Sequence, residues 1–554
     1  MMQNSKPFRF GLILGMVLIC ALCLPPVLSA QEESIQDLKK QLETLQKKIE
    51  KMEKNQDWNT EDIGSLMDRV DETEMHTATD KISFGVDFRT RADSIHYNDI
   101  RMAPDLFIQN FMGLSGLTRQ QIYTQLGSMG PIPPPDKYDA DNDIIYTNRL
   151  RLNMMGKLNR HVEFRGRLTA YKVFGDSTGV KFNQGSLGDI TLDGNTSSLP
   201  HGDTIRMERA YLIYKNEIGE VPYSFSAGRR PSTEGPPLEY RNYSMVGGSP
   251  LATVINWQFD GASLNFNLED VTGIPGASFK FCYGVGYEND WGNSNSLNYS
   301  GSDLEDVHLF GIISDLYDNG KTSLMLNYAH AWDVTDGFTG LTVMPFIVSK
   351  NADGTYDFEQ NSGGFISRME PQTNIGDWDA ASLLLRSAIE TPNDKIDWFL
   401  SGSWSHTNPS QVSQNPFYEI MGQGLLSSNG NLEDRDGYSI YAGAVCPLPF
   451  FGSRLGLEYN FGSKYWFNFT GAEDSLIGSK LATRGEVYEA YYLQPIYGNN
   501  FFLKLGGQFY DYKYTGSGNP LGKPVEISDT TAMDAINPVV DEVWNYYLSA
   551  NLAF

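Results

Sequence analysis

The sequence predicts an all-β fold: a transmembrane antiparallel β-barrel of about sixteen strands at 81–554, behind an α-helical coiled coil at 31–80 and an export leader at 1–30. Three observations carry this. Hydrophobic residues alternate with period two through most of the chain. A 3.5-residue period is confined to the segment just before it. The last strand alternates to a terminal phenylalanine, the assembly signal of bacterial outer-membrane barrels. Composition agrees. The 554 residues hold 30 Tyr, 30 Phe and 54 Gly, only 20% are charged, and the net charge is −25. Disordered chains are poor in aromatics. Acidic side chains outnumber basic ones 68 to 43, which argues against a nucleic-acid partner. No run after residue 30 reaches the roughly 18 apolar residues of a spanning helix.

The first segment reads as a secretory leader. Lys6 and Arg9 precede the apolar run Gly11 to Leu24, and Ser29-Ala30 offers a cleavage site. Cys20 and Cys23 fall inside that run, and Ile19 and Leu22 stand where a lipoprotein signal needs a small residue. The rest of the chain carries only Cys282 and Cys446, too few for a disulfide framework.

In 31–80 the heptad seam is Ile35, Leu38, Leu42, Leu45, Ile49, Met52, then Ile63, Leu66 and Val70, with Gln56 and Asn59 as a polar layer. A narrow stripe flanked by Glu, Lys and Gln favours self-association. The expectation is a periplasmic rod of about 58 Å, at about 1.5 Å per residue. It makes the chain a homo-oligomer, a trimer in preference to a dimer.

From residue 82 the period is two. Ile82, Phe84, Val86 and Phe88 alternate with Ser83, Gly85, Asp87 and Arg89. At the far end Trp544, Tyr546, Leu548, Ala550, Leu552 and Phe554 form the amphipathic closing strand. Tight turns near 159–160, 217–220, 271–276, 318–320, 392–394, 447–452 and 497–500 alternate with long polar segments, the first at 93–143. Seven turns and eight loops join sixteen strands and put both termini in the periplasm. Around 257–262 the alternation leaves fourteen and eighteen strands open.

Positions assigned to the lumen collect arginine: Arg89, Arg91, Arg149, Arg151, Arg165, Arg167, Arg209 and Arg229. Asp87, Glu163 and Glu208 lie near enough to pair some of them. The wall is either an ion-paired surface or a strip that guides anions. The third loop, with Arg230, Glu234, Glu239 and Arg241, is the constriction candidate, because its Pro and Gly residues set a rigid non-strand path. The first loop carries a weakly amphipathic helical pattern over 104–125, suited to plugging the mouth or covering a neighbour. Asp139, Asp141 and Asp143 resemble the start of a Ca²⁺ loop, but Ile144 replaces its turn Gly and no closing Glu follows. No metal, cofactor or catalytic motif is expected, and the chain is not read as an enzyme.

Three stretches carry a resemblance: Thr147-Asn148-Arg149-Leu150-Arg151-Leu152, Glu208-Arg209-Ala210-Tyr211, and Gly228-Arg229-Arg230-Pro231 running to Gly235-Pro236-Pro237. With the rod in front, the chain resembles a porin-like family of proteobacterial outer membranes, long carried as a domain of unknown function. Arg230 stands where general trimeric porins often have Gln. The resemblance implies a diffusion pore. The expected function is passive diffusion of small hydrophilic solutes through the outer membrane, anionic ones if the arginine strip guides anions. Partners are then lipid and lipopolysaccharide, the barrel-assembly machinery and peptidoglycan. The rival is a plugged barrel that tethers the membrane to the cell wall through its rod.

Deleting residues 31–80 is expected to lower the oligomer mass measured by light scattering while the barrel still folds. An unchanged mass would refute oligomerisation through the rod.

Overall fold

The computed structural model describes residues 82–174, 205–232, 253–288, 304–337, 340–343, 346–360, 366–369, 371–391, 394–427, 430–471 and 475–554. The expected leader and coiled coil lie outside the described residues, as do Glu234, Glu239 and Arg241.

Alternating apolar and polar residues force a two-faced strand. Sixteen such strands close into one antiparallel barrel in which each pairs with its sequence neighbour. The first four are β1 (Ile82–Met102), β2 (Asp136–Lys157), β3 (Val162–Val173) and β4 (Arg206–Ile218). Next come β5 (Val221–Pro231), β6 (Gln258–Asn267), β7 (Ser278–Tyr287) and β8 (Val307–Asp318). Then follow β9 (Ser323–Thr335), β10 (Asn374–Glu390), β11 (Lys395–Pro409) and β12 (Arg435–Pro447). The last are β13 (Arg454–Gly462), β14 (Gly485–Tyr497), β15 (Phe501–Tyr512) and β16 (Glu542–Ala553). The seam runs from Asp87 against Ala553 to Asn98 against Glu542. Phe554 completes it: its carbonyl accepts from Val86 N at 2.7 Å and its N–H donates to Val86 O at 3.0 Å.

Short turns lie at one end of the barrel and long loops at the other. In the first turn, Asn159 Oδ1 accepts from the N–H of His161 and Val162. The first long loop is shorter than the 93–143 that the sequence suggests. β1 and β2 stay paired up to Met102 against Asp136, with register shifts at Asp93/Ile95 and Tyr97/Ile100. Bulges let pairing continue through a polar stretch that lacks alternation.

The outer face is apolar. Phe84, Leu150, Leu212, Leu400 and Leu548 are all exposed. Aromatic rows edge it. Near the long loops, Tyr459, Tyr488, Phe509 and Trp544 follow one another across β13–β16 at 5.1, 6.4 and 4.3 Å. Near the turns, Tyr214, Tyr223 and Phe266 do so across β4–β6 at 6.3 and 6.5 Å. Trp544 to Phe554 spans about 33 Å along its strand, hence about 25 Å along the axis at a tilt near 40°. That matches the apolar band of a membrane barrel.

Above the barrel, the long loops make a cap with its own core. In the first loop, α1 (Asp105–Met112) and α2 (Arg119–Ser128) turn Phe107, Phe111, Ile122 and Leu126 inward. Gln121 reaches back to accept from Thr118 N at 2.9 Å, which caps α2. Phe111 packs on Phe107, Phe346 and Phe358 with centroids 5.4, 5.2 and 5.6 Å apart. The last two belong to the fifth-loop hairpin, Phe346–Lys350 with Thr355–Gln360. The sixth loop adds Phe417 and Ile420, and the eighth adds Ala532 and Ile536. The helical pattern of the first loop therefore serves a shared cap.

Phe111→Ala should cost about 3–5 kcal/mol locally and open the cap to protease, while the barrel stays intact. An unchanged cleavage rate of the cap loops would refute this core.

Candidate functional site: the barrel interior

Facing positions follow from exposure and register. On β1, Phe84 and Phe88 are exposed outward, so Asp87, Arg89, Arg91 and Asp93 face in. Opposite them on β2, Leu150 faces out and Arg149 and Arg151 face in. β3 turns Glu163, Arg165 and Arg167 inward, and β4 turns Arg206, Glu208 and Arg209 inward. The sequence reading missed Arg206.

These charges are paired. Arg149 Nη2 donates to Asp87 Oδ1 at 3.0 Å. Arg91 holds Asp93 from Nε and Nη2 and lies 4.1 Å over the Tyr547 ring. The centre of the wall is Glu208, whose side chain is 1% exposed. Arg151 Nε and Arg167 Nη1 each donate to it at 3.0 Å, and Arg209 Nε lies 3.9 Å away. Strict alternation cannot turn both Glu208 and Arg209 inward. A register shift does it: Arg167 pairs with Arg209 and Leu168 with Met207, so Glu208 is the extra residue of a bulge. Arg165 is looser, with Nη2 3.5 Å from Glu163 Oε2 and a side chain 45% exposed.

Pairing does not neutralise the wall. Of the inward residues just named on β1–β4, eight are arginines (89, 91, 149, 151, 165, 167, 206, 209) and four are carboxylates (Asp87, Asp93, Glu163, Glu208); near the loops β1 and β2 add Asp99, Asp136, Asp139, Asp141 and Asp143.

Arg229 is a correction. Phe225 is exposed on the outer face of β5, and Arg229 shares its parity. Arg229 donates to Asp260 at 2.7 Å on that outer face, and Arg230 takes the inward place. Arg230 is also not a loop residue; it ends β5.

The opposite inner wall is uncharged over most of its height. β8–β11 present Leu309, Ile313, Ala329, Ala331, Trp378 and Ala380, then Ser382, Ser401 and Ser403. Two loops fold onto this wall. The described end of the third loop, 253–257, reaches β10 and β11, where Thr253 Oγ1 meets Ser382 and Ser403 Oγ at 3.1 and 2.9 Å. The seventh loop joins it: Phe469 pairs with Ile255 and Thr470 with Asn256. Trp378 Nε1 donates to Phe467 O at 3.2 Å, and the Trp378 and Phe469 rings meet edge to face at 4.7 Å. The sequence reading gave the seventh loop no role; its signal was Trp466, Phe467 and Phe469 in a loop otherwise rich in Gly and Ser.

Two cations fix the seventh loop. Lys480 donates to Glu458 of β13 and, at 2.6 Å, to Glu489 of β14. Arg484 is fully buried and donates to three carbonyls: Trp466 at 2.9 Å, Thr515 at 3.0 Å and Asn519 at 2.9 Å. Burial without a carboxylate pushes Arg484 down to about 9, so it stays charged at neutral pH and ties the seventh and eighth loops together.

Asp139, Asp141 and Asp143 lie in extended β2, not in a loop. Asp141 pairs with His96 at 2.7 Å, and Asp139 accepts from Asp99 N at 2.9 Å. Among the described residues no set of three acidic, His or Cys side chains could hold a metal.

The family described as "Protein of unknown function (DUF3373)" matches residues 139–554. No curated protein matches. Among solved structures, Pseudomonas putida OprB at high pH shares 12% identity over 86% of this chain and 94% of its own, with a TM-score of 0.39. An anion-selective porin from Comamonas acidovorans shares 11% over 85% and 99%, at 0.38. The outer-membrane channel DcaP of Acinetobacter baumannii shares 12% over 86% and 99%, at 0.36.

Glu208→Gln leaves buried arginines without their shared counter-charge, at a cost of about 3–5 kcal/mol. The folded barrel should unfold at lower temperature in a heat-dependent gel-shift assay. An unchanged transition would show that Glu208 is not the keystone of the wall.

Proposed function

Because the chain belongs to the DUF3373 family, whose description assigns no activity, we propose from the interior that it is an outer-membrane porin. It passes small hydrophilic solutes by passive diffusion and favours anions. The observation that carries this is the excess of eight arginines over four carboxylates in the inward cluster around Glu208 on β1–β4. A lumen lined by one sign of charge attracts the opposite ion. The apolar band between aromatic rows supports a lipid setting, with lipopolysaccharide on the loop side and assembly through the usual barrel machinery. The heptads of 31–80 support a periplasmic, oligomerising coiled coil, trimeric in preference to dimeric and within reach of peptidoglycan. The reading is of a channel, not an enzyme.

The test is single-channel recording of the refolded chain in a planar bilayer under a KCl gradient. Stable steps with an anion-preferring reversal potential are expected. Arg89→Gln with Arg165→Gln spares the Glu208 cluster and should lower the anion preference about twofold. Cation preference would overturn the arginine strip. No conductance from a folded oligomer would overturn the pore and favour the plugged tether.

A further inference from the structure

One hollow in the inner wall has no part in the reading above. Gly261 on β6 pairs with Gly284 on β7, and Gly284 pairs with Leu309 on β8, beside Gly311 against Cys282. Ser226 and Ser263, joined at 2.9 Å in the interior, fix this face as inward, since Ser263 pairs with Cys282. The three glycines present no side chains, and the wall sinks there into a shallow, partly open recess with a cavity volume of about 50 Å³. Phe259, Leu309, Ala329 and Cys282 line it, and Ser232 and Ile255 of the third loop border it. The floor cannot be filled cheaply: a Cβ on Gly261 would lie 2.1 Å from Tyr283 O.

A single charged group lines this apolar hollow, Arg230. It is 7% exposed. Its guanidinium makes no hydrogen bond or ion pair among the described residues. The nearby acid, Asp260, is on the outer face and is taken by Arg229. Its nitrogens keep contact with solvent at the recess, and their planar fork matches a carboxylate.

We propose that this recess binds an organic anion with a compact apolar body, an aromatic carboxylate being the fitting class. The carboxylate sits on the Arg230 fork, one edge of the body enters the hollow over the glycine floor beside Phe259 and Leu309, and the rest projects toward the lumen. The proposal rests on the porin reading only for the solute's route to the lumen, and it deepens that reading by naming a solute class.

Cys282 supplies the reporter. The full chain in detergent is alkylated with iodoacetate or with neutral iodoacetamide, and rates are read peptide by peptide by mass spectrometry. Cys446 on β12 shares the parity of the exposed, outward Tyr438 and Ile440 and serves as the internal control. The iodoacetate-to-iodoacetamide ratio at Cys282 is expected to exceed that at Cys446 about fivefold. Sodium benzoate should protect Cys282 and leave Cys446 unaffected. R230Q should abolish both effects. Equal ratios with no protection in the unaltered chain would overturn the proposal without need of a variant. So would a Cys282 that is inert in the folded chain yet reactive in urea. Bilayer recording of the same preparation separates the two readings. Conductance without protection sinks the recess and leaves the pore. Protection without conductance keeps the recess and sinks the pore.

Discussion

Closure of the hydrogen-bond ring is the constraint on which everything else depends. A strand in an apolar solvent cannot leave an edge unpaired, because each unmet backbone group costs several kcal/mol. Phe554 meets that requirement at the last position, exchanging both backbone bonds with Val86. Once the ring is closed, each strand has one face for the apolar exterior and one for everything polar. Arginines that would be scattered over the surface of a soluble protein are gathered on one concave wall. Gathering like charges then demands carboxylates among them, which is why Glu208 sits at the centre of three guanidinium groups.

The interior is divided, and the division explains where the loops go. A loop that folds into a barrel must bury its own backbone and side chains against something. The β1–β4 wall is charged and ion-paired around Glu208, and offers apolar purchase only near the loops, at Ile95, Ile100 and Val173. The β8–β11 wall offers Leu309, Ala331, Trp378 and Ala380, with serine hydroxyls for the few polar atoms. The described end of the third loop and the first part of the seventh therefore settle on that side, with Trp257, Phe467 and Phe469 packed around Trp378, while Leu476 and Ile477 of the seventh join a cluster with Ile95, Ile100 and Val173. Lys480 and Arg484 then hold the seventh loop at fixed points, one by carboxylates and the other by carbonyls.

Much of this was legible in the sequence, because period-two alternation and turn residues are local signals. The seven turns, the sixteen strands and the closing aromatic strand needed no long-range information. The inward arginines of β1–β3 followed from the same alternation. What failed was parity across irregularities. The bulge at Glu208 shifts the phase of β4, and no pattern in Glu-Arg-Ala-Tyr announces it. Arg229 was assigned to the wrong face although Tyr223 and Phe225, three and two steps before it on the same parity, already fixed the outer side of β5. Inward folding of the seventh loop is a tertiary outcome. It depends on a receptive wall formed by strands far away in the chain.

Pairing and anion preference are not alternatives for such a wall. A guanidinium has five N–H donors in a rigid plane, and one carboxylate occupies at most two or three of them. Arg151 gives Nε to Glu208 and Nη2 to the Tyr171 hydroxyl at 3.2 Å, and such partners orient the plane without discharging it. Arg165, half exposed beside Glu163, is the opposite case: loosely held and open to solvent. Deep pairs set the shape of the wall, and exposed arginines set its field. The surplus of guanidinium over carboxylate survives every pair, so a wall that is structurally ion-paired still presents positive potential to the space beside it.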